Sequence, residues 1–164
     1  MADKQSFTPD EWITILTSPT IAGMAITAAD PSGLWGMLKE SFASGTALVT
    51  AKSDPNANPL VKAVVTDFES ADGRSEIIDA LKTRFAGATP DEVVPKALSA
   101  LADVARILDA KAPEDAAAFK AWLEEISLKV AEASKEGGFL GFGGVRVSDA
   151  EKATLADIQK TLSA

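Results

Sequence analysis

Apolar residues recur along this chain at three- and four-residue intervals, and most recurrences follow a helix-opening signal. Thr8-Pro9-Asp10-Glu11 has the form of a capping box, with Thr8 as N-cap, Pro9 at the first helical position and Glu11 reaching back. Trp12, Ile13 and Leu16 supply the apolar face behind it. Ser18-Pro19 and Asp30-Pro31 repeat the cap-then-proline signal, so the stretch after Trp12 reads as two short core helices. Leu34, Trp35, Leu38, Phe42 and Val49 keep a helical period after Pro31. Asn58-Pro59 opens a helix carrying Leu60, Val61, Val64, Val65 and Phe68, which Asp72-Gly73 is expected to break. Ile77, Ile78, Leu81 and Phe85 mark the next, closed by Gly87.

Thr89-Pro90-Asp91-Glu92 repeats the first box. Behind it lies the stripe Val94, Ala97, Leu98, Leu101, Val104, Ala105 and Leu108, with Pro95 expected to kink or restart the first turn. Ala112-Pro113-Glu114-Asp115 places acids at the positive end of a helix whose inward residues are Phe119, Trp122, Leu123, Ile126 and Val130. Ser148-Asp149-Ala150-Glu151 is a third box, followed by Leu155, Ile158 and Leu162. No strand pattern competes. The prediction is an all-α fold: residues 1–164 as a single-domain bundle of seven or eight helices with antiparallel neighbours. The boxes at Thr8 and Thr89 raise an internal duplication, 8–87 and 89–162, as an organisation within it.

Composition narrows the chemistry. The 164 residues contain no His and no Cys. That excludes Ser-His-Asp and Cys-His catalysis, His or Cys zinc sites, iron–sulfur clusters and His-ligated haem. Any catalysis must use carboxylates, lysines, hydroxyls or backbone, and no spacing singles out such a group; no cofactor or metal is expected. Net charge is −8, and the arginines are Arg74, Arg84, Arg106 and Arg146 alone. Without a basic stripe, nucleic-acid binding is not expected. Met1–Ser6 lacks a secretory profile, and the expected location is cytoplasmic. Trp12–Ala29 is uncharged and reaches the lower length limit of a membrane span, but Ser18-Pro19, Gly23 and its threonines favour core helices.

Several constellations fail as sites. Asp54-Pro55-Asn56-Ala57-Asn58 resembles the start of a calcium loop. Yet Pro59 stands where its glycine belongs and Val65 where its closing Glu belongs, so it reads as turn chemistry. Asp67, Glu69 and Asp72 also lack a closing Glu. Carboxylates on the Pro113–Glu136 helix have no His for a di-metal site; the spacing instead predicts Glu125–Lys129 and Lys120–Glu124 pairs. Lys39, Lys62 and Lys82 read as snorkelling lysines, and Trp12, Trp35 and Trp122 as core anchors.

The octapeptide Gly137–Gly144 is the one feature that helix building does not require. It is no phosphate loop, because Val145-Arg146-Val147 follows the glycines and a helix precedes them. One reading folds its aromatics back as a plug on the bundle. The other makes it a partner-binding loop of Gly138, Phe139, Leu140, Gly141 and Phe142, with Arg146 as polar contact. Gly144-Val145-Arg146-Val147-Ser148-Asp149-Ala150-Glu151 resembles the Gly-x-Val-Ser-x-x-Glu helix opening of the tellurite-resistance TerB-like family. Ala71-Asp72-Gly73-Arg74-Ser75-Glu76 resembles that family's Ala-Asp-Gly turn. The resemblance implies an all-helical fold. The octapeptide replaces the family's second Asp-Gly turn, so no ion-related role is carried over. The functional expectation is a soluble acidic protein that acts by binding a protein partner or itself. The alternatives are a carrier of a small apolar ligand between helices and a membrane-associated protein using residues 12–29.

Overall fold

The computed structural model describes residues 1–29, 46–133 and 147–164, excepting the side chains at 46, 47, 49, 50 and 133. A 3-10 turn, Lys4–Ser6, leads into α1 (Pro9–Ala29), α2 (Thr46–Ser53), α3 (Pro59–Glu69), α4 (Ala71–Arg84), α5 (Pro90–Lys111), α6 (Pro113–Ala133) and α7 (Asp149–Ser163). The fold is an all-α single-domain bundle, with no strand among the described residues. Helix α1 is its axis: it packs most extensively on α5, then on α6, and also on α7 and α4. Ile15, Leu16, Ile21, Ala22, Ala25 and Ile26 of α1 meet Leu101, Val104, Leu108, Phe119, Leu123, Ile126 and Ile158 in one buried cluster.

A helix enclosed on all sides must satisfy its polar groups internally. Helix α1 does so by back-bonding at Thr17, Ser18 and Thr27, while the buried Thr20 Oγ1 is left without a partner among the described residues. Thr17 Oγ1 donates to the Ile13 carbonyl at 2.9 Å and Thr27 Oγ1 to the Gly23 carbonyl at 3.0 Å. These bonds also correct the expectation of two short helices, because α1 runs unbroken through Pro19. Proline removes the N–H that would bond the carbonyl four residues back, that of Ile15. The buried Ser18 hydroxyl takes its place, donating to Ile15 O at 2.6 Å. Replacing Ser18 by Ala should cost about 1–2 kcal/mol through that unsatisfied carbonyl, measured by urea denaturation; a loss no larger than for Thr14→Ala, at a half-buried position of the same helix, would contradict this account.

The helix openings follow the sequence. Thr8 N–H donates to Glu11 Oε2 at 2.8 Å, Thr89 N–H to Glu92 Oε2 at 2.9 Å and Ser148 N–H to Glu151 Oε2 at 2.9 Å. Phe7 packs on Trp12 at 6.0 Å between ring centroids, a hydrophobic staple across the first box. Other details differ. The break between α3 and α4 falls at Ser70, and Asp72-Gly73 lies inside the first turn of α4. Helix α5 continues through Pro95. Val93 is buried there and Val94 only partly, a shift of one position in phase; Ile78 is 52% exposed instead of inward. Gly87, with φ of 68°, closes the α4–α5 turn as expected of glycine.

Candidate functional site

Two carboxylates, one half-buried and one buried, hold the N-terminal segment. Asp67, near the end of α3, accepts the Trp12 indole N–H at 2.7 Å and the Lys4 ammonium at 2.9 Å on one oxygen. Lys4 Nζ also lies 5.9 Å from the centroid of the Trp12 ring. Burial pushes the Asp67 carboxyl up, but the Lys4 and Trp12 hydrogen bonds and the Lys4 charge outweigh it, so its pKa falls below the ordinary value of 3.8. The same hydrogen bond raises Lys4 above 10.5. A depressed carboxylate contributes stability above its unfolded pKa and loses it as pH falls through the folded value; a raised lysine loses its contribution as pH rises through its own. Both contributions are therefore present from about pH 4 to about pH 10. Asp67→Asn should lower neutral stability and flatten the acid limb of a stability-versus-pH curve; an acid limb unchanged in slope would refute the assignment.

Asp115 sits in the first turn of α6 and is 4% exposed. Its Oδ2 accepts the Ala2 N–H at 2.7 Å, and its Oδ1 accepts the Asn58 side-chain amide at 2.8 Å. Glu11, Glu92 and Glu151, at the equivalent helical position, fold back on their own N-caps. Asp115 does not, because the Ala112 N–H is already bonded to Leu108 O at 2.8 Å. Its carboxylate is thereby released to act across the fold, beside the favourable end of the helix dipole.

Asn58 also lines an open groove of about 280 Å³ between the α2–α3 connection and α6. Ala51, Ala57, Ala118 and Ala121 keep its walls low; Val61 and Trp122 lie at its base, and Asp54, Glu125 and Lys129 stand around it. Glu125 and Lys129 pair at 2.7 Å, as their spacing predicts. Lys120 does not pair with Glu124; it reaches Asp109 of α5 at 2.8 Å, the neighbouring helix offering a closer carboxylate. Part of the outer face of α6 is apolar, between the exposed Glu114, Glu125 and Glu132. Ala117, Ala118 and Ala121 are exposed, and Leu128, seven residues beyond Ala121 on the same side, is 45% exposed.

A second groove, about 440 Å³, runs between α1 and α4, lined by Ile13, Thr17, Ile21, Leu81 and Arg84 among others. The Thr14, Thr17 and Thr83 hydroxyls beside it donate to backbone carbonyls of their own helices, and Arg84 leans on Asp103 at 3.5 Å. Among the described residues no group of His, Cys, Asp and Glu could hold a metal ion.

The loop predicted from sequence, Gly138, Phe139, Leu140, Gly141, Phe142 and Arg146, lies outside the described residues, as does Trp35. Asp54 and Asn58, read as turn chemistry, do cap and turn: Asp54 accepts the Asn56 N–H at 2.8 Å and Asn58 the Leu60 N–H at 2.9 Å. What sequence reasoning missed is that Asn58, which lines a groove, meets Asp115. The available signal was Leu128, an apolar residue off the inward stripe of its helix. No family model matches the chain, and no match was found among curated proteins or solved structures.

Proposed function

We propose that this protein acts by binding, as a soluble, acidic, cytoplasmic interaction or adaptor protein, and that the α6 groove receives an amphipathic helix of a protein partner. The observation that carries this reading is the set of exposed apolar residues Ala117, Ala118, Ala121 and Leu128, beside a groove with Trp122 at its base. Small side chains let a partner helix approach closely. A groove of about 280 Å³ suits one or two anchoring side chains better than a whole small molecule. Asp54 and the net charge of −8 favour a basic partner. The titrating groups also support binding over acid–base work. Backbone hydrogen bonds hold Glu11 and Glu92 below their ordinary pKa, and Asp67 is lowered too, the opposite of what a neutral-pH proton shuttle requires.

Helical peptide libraries displayed against the wild-type chain and counter-selected against Ala121→Arg test the reading. Enriched peptides should carry apolar residues at i and i+3 or i+4 flanked by Lys or Arg. Their affinity should drop by about tenfold or more on Ala121→Arg or Leu128→Asp, with melting nearly unchanged, as expected of exposed positions. Failure to recover any peptide whose binding depends on these residues would overturn it. The larger α1–α4 groove favours a second reading, a carrier of a small apolar ligand. Native mass spectrometry that finds a retained small molecule, lost on Ile13→Asp, would select it. Helix α1 is long and apolar enough to cross a membrane, but 67% of its apolar window is buried within the bundle, which supports a core helix.

A further inference from the structure

The strap of residues 2–7 and the wall of the α6 groove share one buried carboxylate. Ala2 and Phe7 are buried, and Lys4 is clasped by Asp67, so the strap lies closed between α6 at one end and α3 at the other. At the α6 end Ala2 N–H donates to Asp115, next to an exposed pairing of the Met1 ammonium with Glu114 at 3.7 Å, and the second oxygen of the Asp115 carboxylate is occupied by the Asn58 amide. We propose that Asp115 is a two-armed latch: engaging the Asn58 amide in the groove loosens the N-terminal strap, and lifting the strap loosens Asn58. The functional half of this statement rests on the α6 groove being a binding site.

The physical argument is the cost of an underpaired buried charge. With both arms filled, Asp115 tolerates its 4% exposure. If a ligand draws the Asn58 amide away, a lone pair of a buried carboxylate loses its partner, and that loss is larger than the net value of the bond. The carboxylate recovers hydration by turning outward, away from the Ala2 N–H that its other oxygen accepts. Ala2 N–H then loses its acceptor, and the strap is left to the exposed Met1–Glu114 pair, the Lys4–Asp67 pair and the packing of Phe7 on Trp12. Coupling of this kind is reciprocal. Asn58 transmits the change because its side chain is double-duty: its oxygen caps α3 through Leu60 N–H while its nitrogen reaches Asp115.

That division of labour makes the latch testable without any groove ligand. Asn58→Ser keeps an N-cap oxygen and removes the donor to Asp115. Trypsin cleavage at Lys4–Gln5, followed by mass spectrometry, should then accelerate by about tenfold, the size expected for losing a hydrogen bond to a charged group. Cleavage after Lys62 and Lys82 should stay at the wild-type rate. Ala2→Pro removes the donor from the other arm; hydrogen exchange of the Asn58 side-chain amide, read by NMR, should rise in turn. A Lys4–Gln5 rate within twofold of wild type, an acceleration shared by all three sites, or an unchanged Asn58 amide in Ala2→Pro would each overturn the latch. If Asn58→Ser does not fold, the Ala2→Pro arm decides alone. Both arms use the free protein, so the latch can fail while peptide selection on the groove succeeds, and the reverse.

Discussion

Trp12→Ala should be the most damaging substitution at the N-terminal end of the bundle, lowering stability by about 3–5 kcal/mol. Two losses combine. The indole is 2% exposed and fills the space where α1 meets the end of α3, with Phe7 stapled against it. Its removal leaves a cavity that the surrounding helices, tied by α1 itself, can close only in part. The second loss is electrostatic: Trp12 Nε1–H is one of two donors to the same Asp67 oxygen. Trp12→Phe separates the two. The ring volume is largely kept and the donor is lost, so the cost should fall to about 1–2 kcal/mol. Because the Trp12 bond helps to hold the Asp67 carboxyl down, Phe should also shrink the acid-dependent part of stability. Denaturant titrations of both variants at pH 7 and pH 3 measure both quantities. If Trp12→Phe matched Trp12→Ala at neutral pH, the packing share would be refuted; if its acid dependence equalled wild type, the Asp67 share would be.

The openings of these helices were legible because a cap is local. Thr8, Thr89 and Ser148 find their Glu three residues on, and no distant part of the chain has to be known. Ser18-Pro19 carried the same local signal and meant something else. With its hydroxyl turned back onto Ile15 O, the serine repairs the proline's missing bond, and burial of α1 between α5 and α6 favours one long helix over two short ones. Local pattern could not decide this, since both outcomes use the same residues. Lys120 illustrates the same limit: Glu124 is nearer along the helix, and Asp109 is nearer in space. The groove was legible only in fragments. Asn58 was recognisable as a helix opener and Asp115 as an acid at a helix start, but their contact spans 57 positions, and that of Asp115 with Ala2 spans 113. Pairings at such separation depend on how whole helices dock, which the spacing of apolar residues constrains and does not specify.

Gly73 separates local from tertiary reasoning most sharply. It lies in the first turn of α4, where alanine is the better helix former by about 1 kcal/mol, so helix propensity alone predicts that Gly73→Ala stabilises. The packing predicts the reverse. A Cβ built on Gly73 would overlap the carbonyl oxygen of Asp67 and lie 2.9 Å from Ser70 Oγ. The first obstacle is backbone and cannot rotate aside. It is also in use: Asp67 O accepts the Ser70 N–H at 3.0 Å and the Ser70 hydroxyl at 2.6 Å, while Ser70 Oγ accepts the Gly73 N–H at 2.9 Å. One serine thus ends α3 and begins α4, and the turn is tight enough that only glycine fits beneath it. To admit a methyl group, the end of α3 must move, carrying Asp67 away from Lys4 and Trp12. Gly73→Ala should therefore destabilise by about 2–3 kcal/mol, the range of an overpacked core position. It should also weaken the strap, seen as faster trypsin cleavage at Lys4–Gln5. Gly87→Ala is the informative control: nothing lies within 4 Å of its Cβ, and its cost comes from a φ of 68° alone. It should destabilise by about 1 kcal/mol and leave that cleavage rate unchanged. A Gly73→Ala protein as stable as wild type would mean that the α3–α4 turn yields readily, and that Asp67 is held by its hydrogen bonds without help from the turn.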